Sequence, residues 1–292
     1  MNVRIIPRLD IKGPNLVKGI HLEGLRVLGK PEDFARYFYE NGADELFYQD
    51  AVASLYGRNS LLEIIEKTAR EIFIPLTVGG GLRSIDDIRT VLRAGADKVS
   101  INTAAIERPE LIREASRAFG SSTIVVSIEA IKKSDGHYEA YVDYGRESTG
   151  VDPFEWAIRA AELGAGELMV TSINQEGTGK GYDLELTRKI AQSVSIPVIA
   201  SGGAGQVSHV HDVIAKGNAD AVSMASILHY NFIQRLEYRK SDFSKEGNIE
   251  FLRGRRGTRS RKHIKNATIK EIKKFLVPHG IKCRLQTEWA NG

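Results

Sequence analysis

Short apolar segments alternate with amphipathic helical segments along most of this chain, and no other feature restricts its fold as strongly. One helical segment, 84–95, places Ile85, Ile88 and Val91 on a single stripe and ends at Gly95. The predicted strands cover residues 4–9, 45–50, 74–79, 98–102, 123–129, 167–172, 196–201 and 221–225. Eight βα units within about 230 residues, with no GxGxxG after the first strand, predict an α/β fold with one (βα)8 TIM barrel rather than a doubly wound sheet. We therefore expect residues 1–292 to form a single domain.

The two halves of the chain resemble each other. Residues 77–105, TVGGGLRSIDDIRTVLRAGADKVSINTAA, are similar to 199–227, IASGGAGQVSHVHDVIAKGNADAVSMASI, and PRLDIK at 7–12 is similar to VSIEAIK at 126–132. A repeat of half a chain predicts a barrel of two similar halves. Asp10 and Glu129 then occupy equivalent places at the C-terminal ends of odd-numbered strands, the end at which barrel enzymes carry their chemistry.

Two glycine-rich turns each follow a predicted strand and precede a helix, and a second pair of turns follows the next strands. Backbone N–H groups in such turns can bind an anion closely. We predict two substrate phosphate-binding sites, against the alternative of tight turns without a ligand. The first comprises Gly80, Gly81, Asn102 and Thr103, and the second comprises Gly202, Gly203, Ala225 and Ser226, with Gly177 as a further candidate.

Asp10 and Glu129 lie between the two predicted phosphate sites. Paired carboxylates can divide the work of general base and general acid. The alternative is that each carboxylate caps a loop or pairs with a nearby lysine, for which Lys12, Lys18 and Lys132 are available. Spacing alone leaves both interpretations open.

Other features of the chain exclude several classes of protein. Cys283 is the single cysteine, so no intrachain disulfide can form, and no apolar stretch approaches the length of a membrane span. We therefore expect a cytoplasmic protein with no membrane association. His209 and His211 point to different faces of a helix, and we predict neither a metal site nor a cofactor.

A basic insertion interrupts the chain at about residues 234–266. It contains eleven Lys and Arg residues against four Asp and Glu residues, while the whole chain has a net charge of +4. Because it follows the eighth predicted strand, we expect it on the catalytic face, either as a docking surface for a third protein or as a solvated loop. Its few aromatic residues lie outside the densest arginine run, which argues against nucleic-acid binding.

Several motifs closely resemble the cyclase subunit of imidazole glycerol phosphate synthase, a histidine biosynthesis barrel family: DIKGPNLVKG, TVGGGL, GADKVSINTAA, TSINQEGTGKGYD and IASGGAG. The resemblance spans about residues 3–232 and resumes at 267–285. It implies a (βα)8 barrel that takes ammonia from a glutaminase subunit and uses it on a bis-phosphorylated formimino ribonucleotide. It also implies a catalytic role for Asp10, a loop lysine at Lys18, and phosphate contacts from the two predicted sites. Four charged residues match the family's ammonia entrance at the N-terminal end of the barrel: Arg4, Glu45, Lys98 and Glu167.

The departures from this family pattern lie at the catalytic end. Glu129 stands where the family has its second catalytic aspartate, and Arg8 replaces a small residue. Further replacements are Val52, Asn174 and Glu176. We expect Arg8 to share the inward face of its strand with Asp10, to pair with Glu129 and to lower the pKa of Glu129.

Two functions of different classes follow. The first is a cyclase with Asp10 and Glu129 as base and acid, its activity reduced or altered by the departures. The second comes from the resemblance, because some relatives of this family occur beside sugar-modifying amidotransferases: it is a non-cyclising subunit that relays ammonia from a glutaminase to a nucleotide-sugar amidotransferase in lipopolysaccharide or O-antigen synthesis. The retained phosphate turns favour the first function, and the altered catalytic face favours the second.

Overall fold

The computed structural model describes residues 2–53, 61–235 and 263–285. Its strands are β1 Arg4–Lys12, β2 Asn15–Ile20, β3 Glu23–Gly29, β4 Leu46–Asp50, β5 Leu76–Gly79, β6 Lys98–Ile101, β7 Ile124–Lys132, β8 Tyr138–Val142, β9 Glu147–Ser148, β10 Glu167–Ser172, β11 Val198–Ser201 and β12 Ala221–Met224. The described α-helices are α1 Pro31–Glu40, α2 Leu62–Ala69, α3 Ile85–Arg93, α4 Thr103–Glu107, α5 Glu110–Phe119, α6 Pro153–Glu162, α7 Leu184–Ser193, α8 Val207–Ala215, α9 Ser226–Arg235 and α10 Ile269–Leu276.

Eight parallel strands form a closed barrel in the order β1, β4, β5, β6, β7, β10, β11 and β12. Parallel pairing of β12 with β1 and of β7 with β10 completes the ring. Helices connect the strands and cover the outside, so residues on the outward faces of the strands pack into the main apolar core. The predicted single (βα)8 barrel is confirmed, whereas the extent of the domain over all 292 residues stays a prediction.

The expected twofold repeat is present in the secondary structure. β1 and β7 each have nine residues, and each is followed by an antiparallel hairpin, β2–β3 in the first half and β8–β9 in the second. Asp10 pairs with Val17 of the hairpin on one side and with Gln49 on the other. Glu129 has the same two kinds of neighbour, Tyr141 and Thr171. The two carboxylates therefore hold equivalent places in the barrel.

The C-terminal segment is bound to the beginning of the chain. Val3 donates its backbone N–H to Lys282 O at 2.8 Å and forms an isolated parallel bridge with Cys283. The buried Lys273 ammonium, on α10, contacts the Asp44 carboxylate at 2.7 Å and the Gly42 carbonyl at 2.9 Å. These contacts attach α10 to the N-terminal end of the barrel.

The helix predicted at 84–95 is observed as α3. Ser84 caps its N-terminus, because the Ser84 side chain accepts from Asp87 N and the Asp87 side chain accepts from Ser84 N. Ile88 and Val91 are fully buried. Most of the basic insertion at 234–266 lies outside the described residues, so its expected place on the catalytic face stays a prediction. None of the described helices combines the length and the apolarity that a membrane crossing requires.

Candidate active site

Four charged residues form a closed ring at the N-terminal end of the barrel. Arg4 Nη1 lies 2.8 Å from Glu45 Oε2 and 3.0 Å from Glu167 Oε1. Lys98 Nζ lies 3.1 Å from Glu45 Oε2 and 3.3 Å from Glu167 Oε1, so that positive and negative side chains alternate around the ring. Thr77 Oγ1 donates to the other Glu45 oxygen at 2.6 Å. The structure thus brings together all four residues of the predicted ammonia entrance.

An apolar layer lies directly above this ring inside the barrel. Three of its residues lie two positions after Arg4, Glu45 and Glu167 on the same inward faces, because successive side chains alternate between the two faces of a strand, and the other three come from β7, β11 and β12. Its members are Ile6, Phe47, Val125, Met169, Ile199 and Ala221, all buried. This layer lies between the charged ring and the polar side chains at the C-terminal end of the barrel.

Arg8 occupies the next level of the barrel interior. Its Nε lies 2.8 Å from Asp10 Oδ1, and its Nη1 donates to Thr171 Oγ1 at 3.3 Å. Its guanidinium carbon is 5.9 Å from the centre of the Phe47 ring. Since Thr171 belongs to β10, three strands away from β1 around the ring, the Arg8 side chain crosses the interior between the apolar layer and the carboxylates.

Asp10 is buried and ion-paired. Burial alone would raise its pKa, but the adjacent Arg8 and then Lys18 outweigh burial and hold the pKa of Asp10 below its usual range. Asp10 is therefore an ionised carboxylate with a fixed partner.

Glu129 does not pair with Arg8, and the expectation of a lowered Glu129 pKa is wrong. Arg8 and Asp10 are two residues apart on one strand face, so the shorter contact forms within β1 rather than across the barrel. Glu129 accepts from Asn102 Nδ2 at 3.3 Å and from the backbone N–H of Gly145. Burial nevertheless raises the pKa of Glu129 to about 7, with Arg8 opposing the change. The carboxyl group can thus carry a proton near neutral pH.

Lys18 and Glu176 form a buried ion pair at the C-terminal end of the barrel. Lys18 lies on β2, and Glu176 lies in the loop after β10. Burial would lower the pKa of Lys18, but Glu176 and Asp10 raise it overall. His21 reinforces the contact, because its backbone N–H donates to Glu176 O at 2.9 Å and its Nδ1 lies 2.7 Å from Ile173 O. The first hairpin is therefore fastened to the loop after β10.

The first predicted phosphate site is assembled as one cavity. Gly80, Gly81, Asn102 and Thr103 line it together with Glu129. Gly80 has φ +103°, and a Cβ there would lie 2.6 Å from Asp50 O, so this turn requires glycine. The cavity places the first turn beside the Glu129 carboxyl group.

The second predicted phosphate site forms a separate cavity on the other half of the barrel mouth. The predicted residues that line it are Gly177, Gly202, Gly203, Ala225 and Ser226. Arg8, Glu176 and Ser223 line it as well. A Cβ on Gly203, where φ is +108°, would lie 2.0 Å from Gly181 O. This backbone approach explains the glycine at the centre of the turn.

Several lining residues were missed by the sequence reasoning. Ser100, Ser127 and Ser223 each lie two residues before a predicted site residue, so strand alternation could have identified them. Tyr144 also lines the first cavity, from the turn between β8 and β9, where its φ is +59°. No pattern in the sequence indicates that turn's conformation.

Two of the departures from the family pattern contribute local structure. The Val52 backbone N–H donates to Asp50 Oδ1 at 3.0 Å, at the end of β4. Asn174 Oδ1 accepts from Lys132 N at 2.7 Å, which connects the loop after β10 to the end of β7. Among the residues described by the structure, no group of three or more His, Cys, Asp or Glu side chains is arranged to hold a metal ion.

Comparisons with known proteins agree with this arrangement. A family model described as "Histidine biosynthesis protein" matches residues 4–234. The chain is 59% identical over 206 residues to the imidazole glycerol phosphate synthase subunit HisF of Legionella pneumophila, covering 70% of this chain and 97% of that relative. It is 44% identical over 301 aligned residues to the HisF subunit of Methanocaldococcus jannaschii, covering 97% and 98% of the two chains. The HisF subunit of Alkaliphilus metalliredigens is 48% identical over 228 residues, or 78% of this chain and 90% of that relative. The chain therefore belongs to the histidine biosynthesis protein family.

Proposed function

We propose that this chain is the cyclase subunit of an imidazole glycerol phosphate synthase. It uses ammonia from a glutaminase subunit on a bis-phosphorylated formimino ribonucleotide and acts as a lyase. The observation that carries the proposal is the equivalent placement of Asp10 and Glu129, each on the strand before a hairpin, between two cavities lined by glycine turns. A substrate with a phosphate at each end matches two such turns.

The carboxyl groups of Asp10 and Glu129 have different environments, and these environments suit them to different roles. The pKa of Glu129 is raised to about 7 by burial, while Arg8 and Lys18 keep the pKa of Asp10 low. Two titratable groups whose pKa values are pushed apart make a natural acid–base pair. Glu129 is accordingly the proton donor, and Asp10 is the ionised group that accepts a proton or stabilises positive charge.

Purified chain, supplied with the ribonucleotide and an ammonium salt, is expected to release imidazole glycerol phosphate. Ammonium replaces the glutaminase, so the assay measures the chemistry of this chain alone. Product formation is followed by chromatography, with heat-treated chain as the control. Absence of turnover, with substrate binding demonstrated by calorimetry, would contradict the cyclase.

The ammonia relay to a nucleotide-sugar amidotransferase is the second candidate, and the Arg8–Asp10 pair favours it. A carboxylate held by a buried guanidinium is a poor base, and the family has a small residue at the Arg8 position. On this alternative, the native chain has little cyclase activity, and the double variant Arg8→Cys with Glu129→Asp gains it. Robust native turnover with ammonium would dismiss the relay.

The glutaminase partner is expected at the N-terminal end of the barrel. Support comes from the charged ring and from Phe73, which precedes β5 at that end and is 81% exposed, an unusual state for a phenylalanine. Phe73 contacts another residue of this end, Tyr39, with ring centres 6.1 Å apart. An exposed aromatic side chain at the same end of the barrel as the four charged residues is a candidate hot spot for binding.

Phe73→Asp is expected to weaken binding of the glutaminase at least tenfold, because it replaces the aromatic contact by a charge. Surface plasmon resonance against the purified glutaminase subunit measures the change. Ile158→Asp is the matched control, since Ile158 is an exposed apolar residue, at 41%, near the middle of α6 in the second half of the barrel. Equal losses in both variants would argue against docking through Phe73.

The docking of a third protein on the basic insertion is part of the second candidate function, the ammonia relay. Residues 236–262 lie outside the described part of the chain, so the charge of the segment is the support for this partner. Deleting the insertion distinguishes the two candidate functions, because a cyclase needs only the barrel and the glutaminase.

A further inference from the structure

The tips of the two hairpins meet each other at the mouth of the barrel. A Cβ on Gly145, in the turn between β8 and β9, would lie 2.9 Å from Leu22 Cδ1, in the turn between β2 and β3. Leu22 and Tyr144 are both buried, and they belong to one apolar cluster. The other buried members of this cluster are Val17, Ala51 and Ile173. This packing accounts for the aromatic ring of Tyr144 but not for its hydroxyl group.

The two turns correspond in backbone conformation. In each of them, the first two residues after the strand have positive φ values: His21 and Leu22, at 51° and 63°, and Asp143 and Tyr144, at 52° and 59°. Leu22 and Tyr144 are therefore equivalent positions of the two hairpins. Because a leucine fills the position in the first hairpin, packing at this place does not require a polar atom. The Tyr144 hydroxyl is an addition that the packing leaves unexplained.

The second turn is held over the first cavity by hydrogen bonds. The Asp143 backbone N–H donates to Thr103 Oγ1 at 3.1 Å, and the Gly145 backbone N–H donates to the Glu129 carboxyl group. Tyr144 lies between these two anchored residues and lines the cavity that Thr103 and Glu129 also line. A left-handed conformation is unusual for a bulky residue and is found where the surroundings maintain it. The Tyr144 side chain is thus fixed in place at the first cavity.

The Tyr144 hydroxyl lies among the charged groups of both cavities. Glu129 of the first cavity and Arg8 and Glu176 of the second are close enough to act on it electrostatically. Among the residues described by the structure, none forms a hydrogen bond with this hydroxyl. A ligand that extends from one glycine turn to the other would therefore pass a hydrogen-bonding group that is not already engaged.

The surrounding charges indicate what kind of atom this hydroxyl can bind. Burial, and next the Asp10 carboxylate, raise the pKa of Tyr144 well above its usual value, so the hydroxyl stays protonated and donates. The cations Arg8 and Lys18 are already paired with Asp10 and Glu176. A further anion between the cavities would be buried without a countercharge, which is strongly unfavourable. The matching acceptor is an uncharged oxygen or nitrogen atom.

We propose that Tyr144 is a specificity-determining residue, whose hydroxyl donates a hydrogen bond to an uncharged acceptor in the middle of a ligand that has one phosphate on each glycine turn. The ligand class is a bis-phosphorylated compound with a carbonyl, ether or imine group between its phosphates. The proposal rests on the proposed function and adds a contact to the part of the substrate that neither glycine turn reaches.

Calorimetry on the full chain, with the bis-phosphorylated formimino ribonucleotide and no ammonium salt, tests this contact without consuming the ligand. Tyr144→Phe removes one oxygen atom and keeps the ring. It is expected to weaken binding about three- to tenfold, the range of one lost hydrogen bond. Tyr144→Leu should weaken binding to the same extent, because it also lacks the hydroxyl and has the side chain that the first hairpin carries at the equivalent position.

Tyr141→Phe is the matched control. Tyr141 belongs to the same hairpin, but its hydroxyl lies 2.6 Å from Lys133 Nζ, and it lines neither of the two cavities. We expect this variant to bind within about threefold of the native chain. Thermal unfolding of each variant checks that its fold is retained.

Three results would overturn the role of Tyr144 while leaving the proposed function intact. They are a loss below threefold in Tyr144→Phe, a loss confined to Tyr144→Leu, which would assign the effect to the ring, and an equal loss in Tyr141→Phe. If the native chain does not bind the ribonucleotide at all, both the contact and the proposed function are wrong. If Tyr144→Leu does not fold, Tyr144→Phe decides alone.

Discussion

Glu129→Gln is expected to reduce ammonium-dependent turnover by about 10²–10⁴-fold, the usual contribution of a positioned proton donor. The amide has the size of the carboxyl group but cannot supply its proton. Stopped assays with saturating ribonucleotide measure the loss. Glu139→Gln is the control, because Glu139 is a buried carboxylate of the neighbouring hairpin that contacts Lys133 and Ser148 outside the two cavities. Similar losses in both variants would show that Glu129 has no particular role in proton transfer.

The same carboxyl group predicts a pH dependence. Because the pKa of Glu129 is about 7 in the folded chain, the protonated fraction falls as the pH rises above that value, and turnover should decline with it. The raised pKa also means that the folded state binds this proton more tightly than the unfolded state. The stability contributed by Glu129 is therefore greatest at acidic pH and decreases as the pH rises from about 4.5 through about 7. Glu129→Gln should remove this dependence from the free energy of unfolding.

Asp10→Asn is expected to lower the free energy of unfolding by about 3–5 kcal/mol, because it leaves the buried Arg8 guanidinium without its carboxylate. Urea unfolding at neutral pH measures the change. The double variant Arg8→Met with Asp10→Leu should recover most of the loss, since replacing both members of a buried pair by apolar residues is often neutral.

A surface ion pair provides the comparison for this effect. Arg36 Nη2 lies 2.6 Å from Glu71 Oε2, but both side chains are more than 40% exposed. Glu71→Gln should change the free energy of unfolding by less than about 1 kcal/mol, because solvent screens such pairs. An Asp10→Asn variant no less stable than Glu71→Gln would show that Arg8 finds another partner or reaches solvent.

The barrel could be predicted from the sequence because the regular alternation of apolar strand segments with amphipathic helical segments is a strong signal. All eight barrel strands begin within two residues of their predicted starts, and α3 begins and ends within two residues of its predicted bounds. The hairpins after β1 and β7 were not predicted. Their segments, 15–29 and 138–148, mix polar and apolar residues because they cover the barrel mouth instead of entering the core.

The site was harder to predict where it depended on which charged side chains form ion pairs with each other. The matched glycine turns and the twofold repeat were sufficient to assign the predicted phosphate-site residues to two separate cavities. The partner of Arg8 could not be deduced, because both Asp10 and Glu129 were within plausible reach and only the packed interior selects between them. The raised pKa of Glu129 likewise depends on how completely its surroundings exclude water, which strand alternation does not measure.

The contacts of Val3 with Lys282 and Cys283 bear on chain connectivity. They place residues 3 and 282–283 side by side at one end of the barrel. Residues 120–123 connect the first half-barrel, which begins at β1, to the second, which begins at β7. A linker from residue 285 back to residue 2 would connect the second half-barrel to the first. Circular permutation is tolerated where chain ends lie close together at the surface. The order in which the two half-barrels are synthesised is therefore interchangeable in principle, and the closed barrel depends on their mutual contacts rather than on which half comes first.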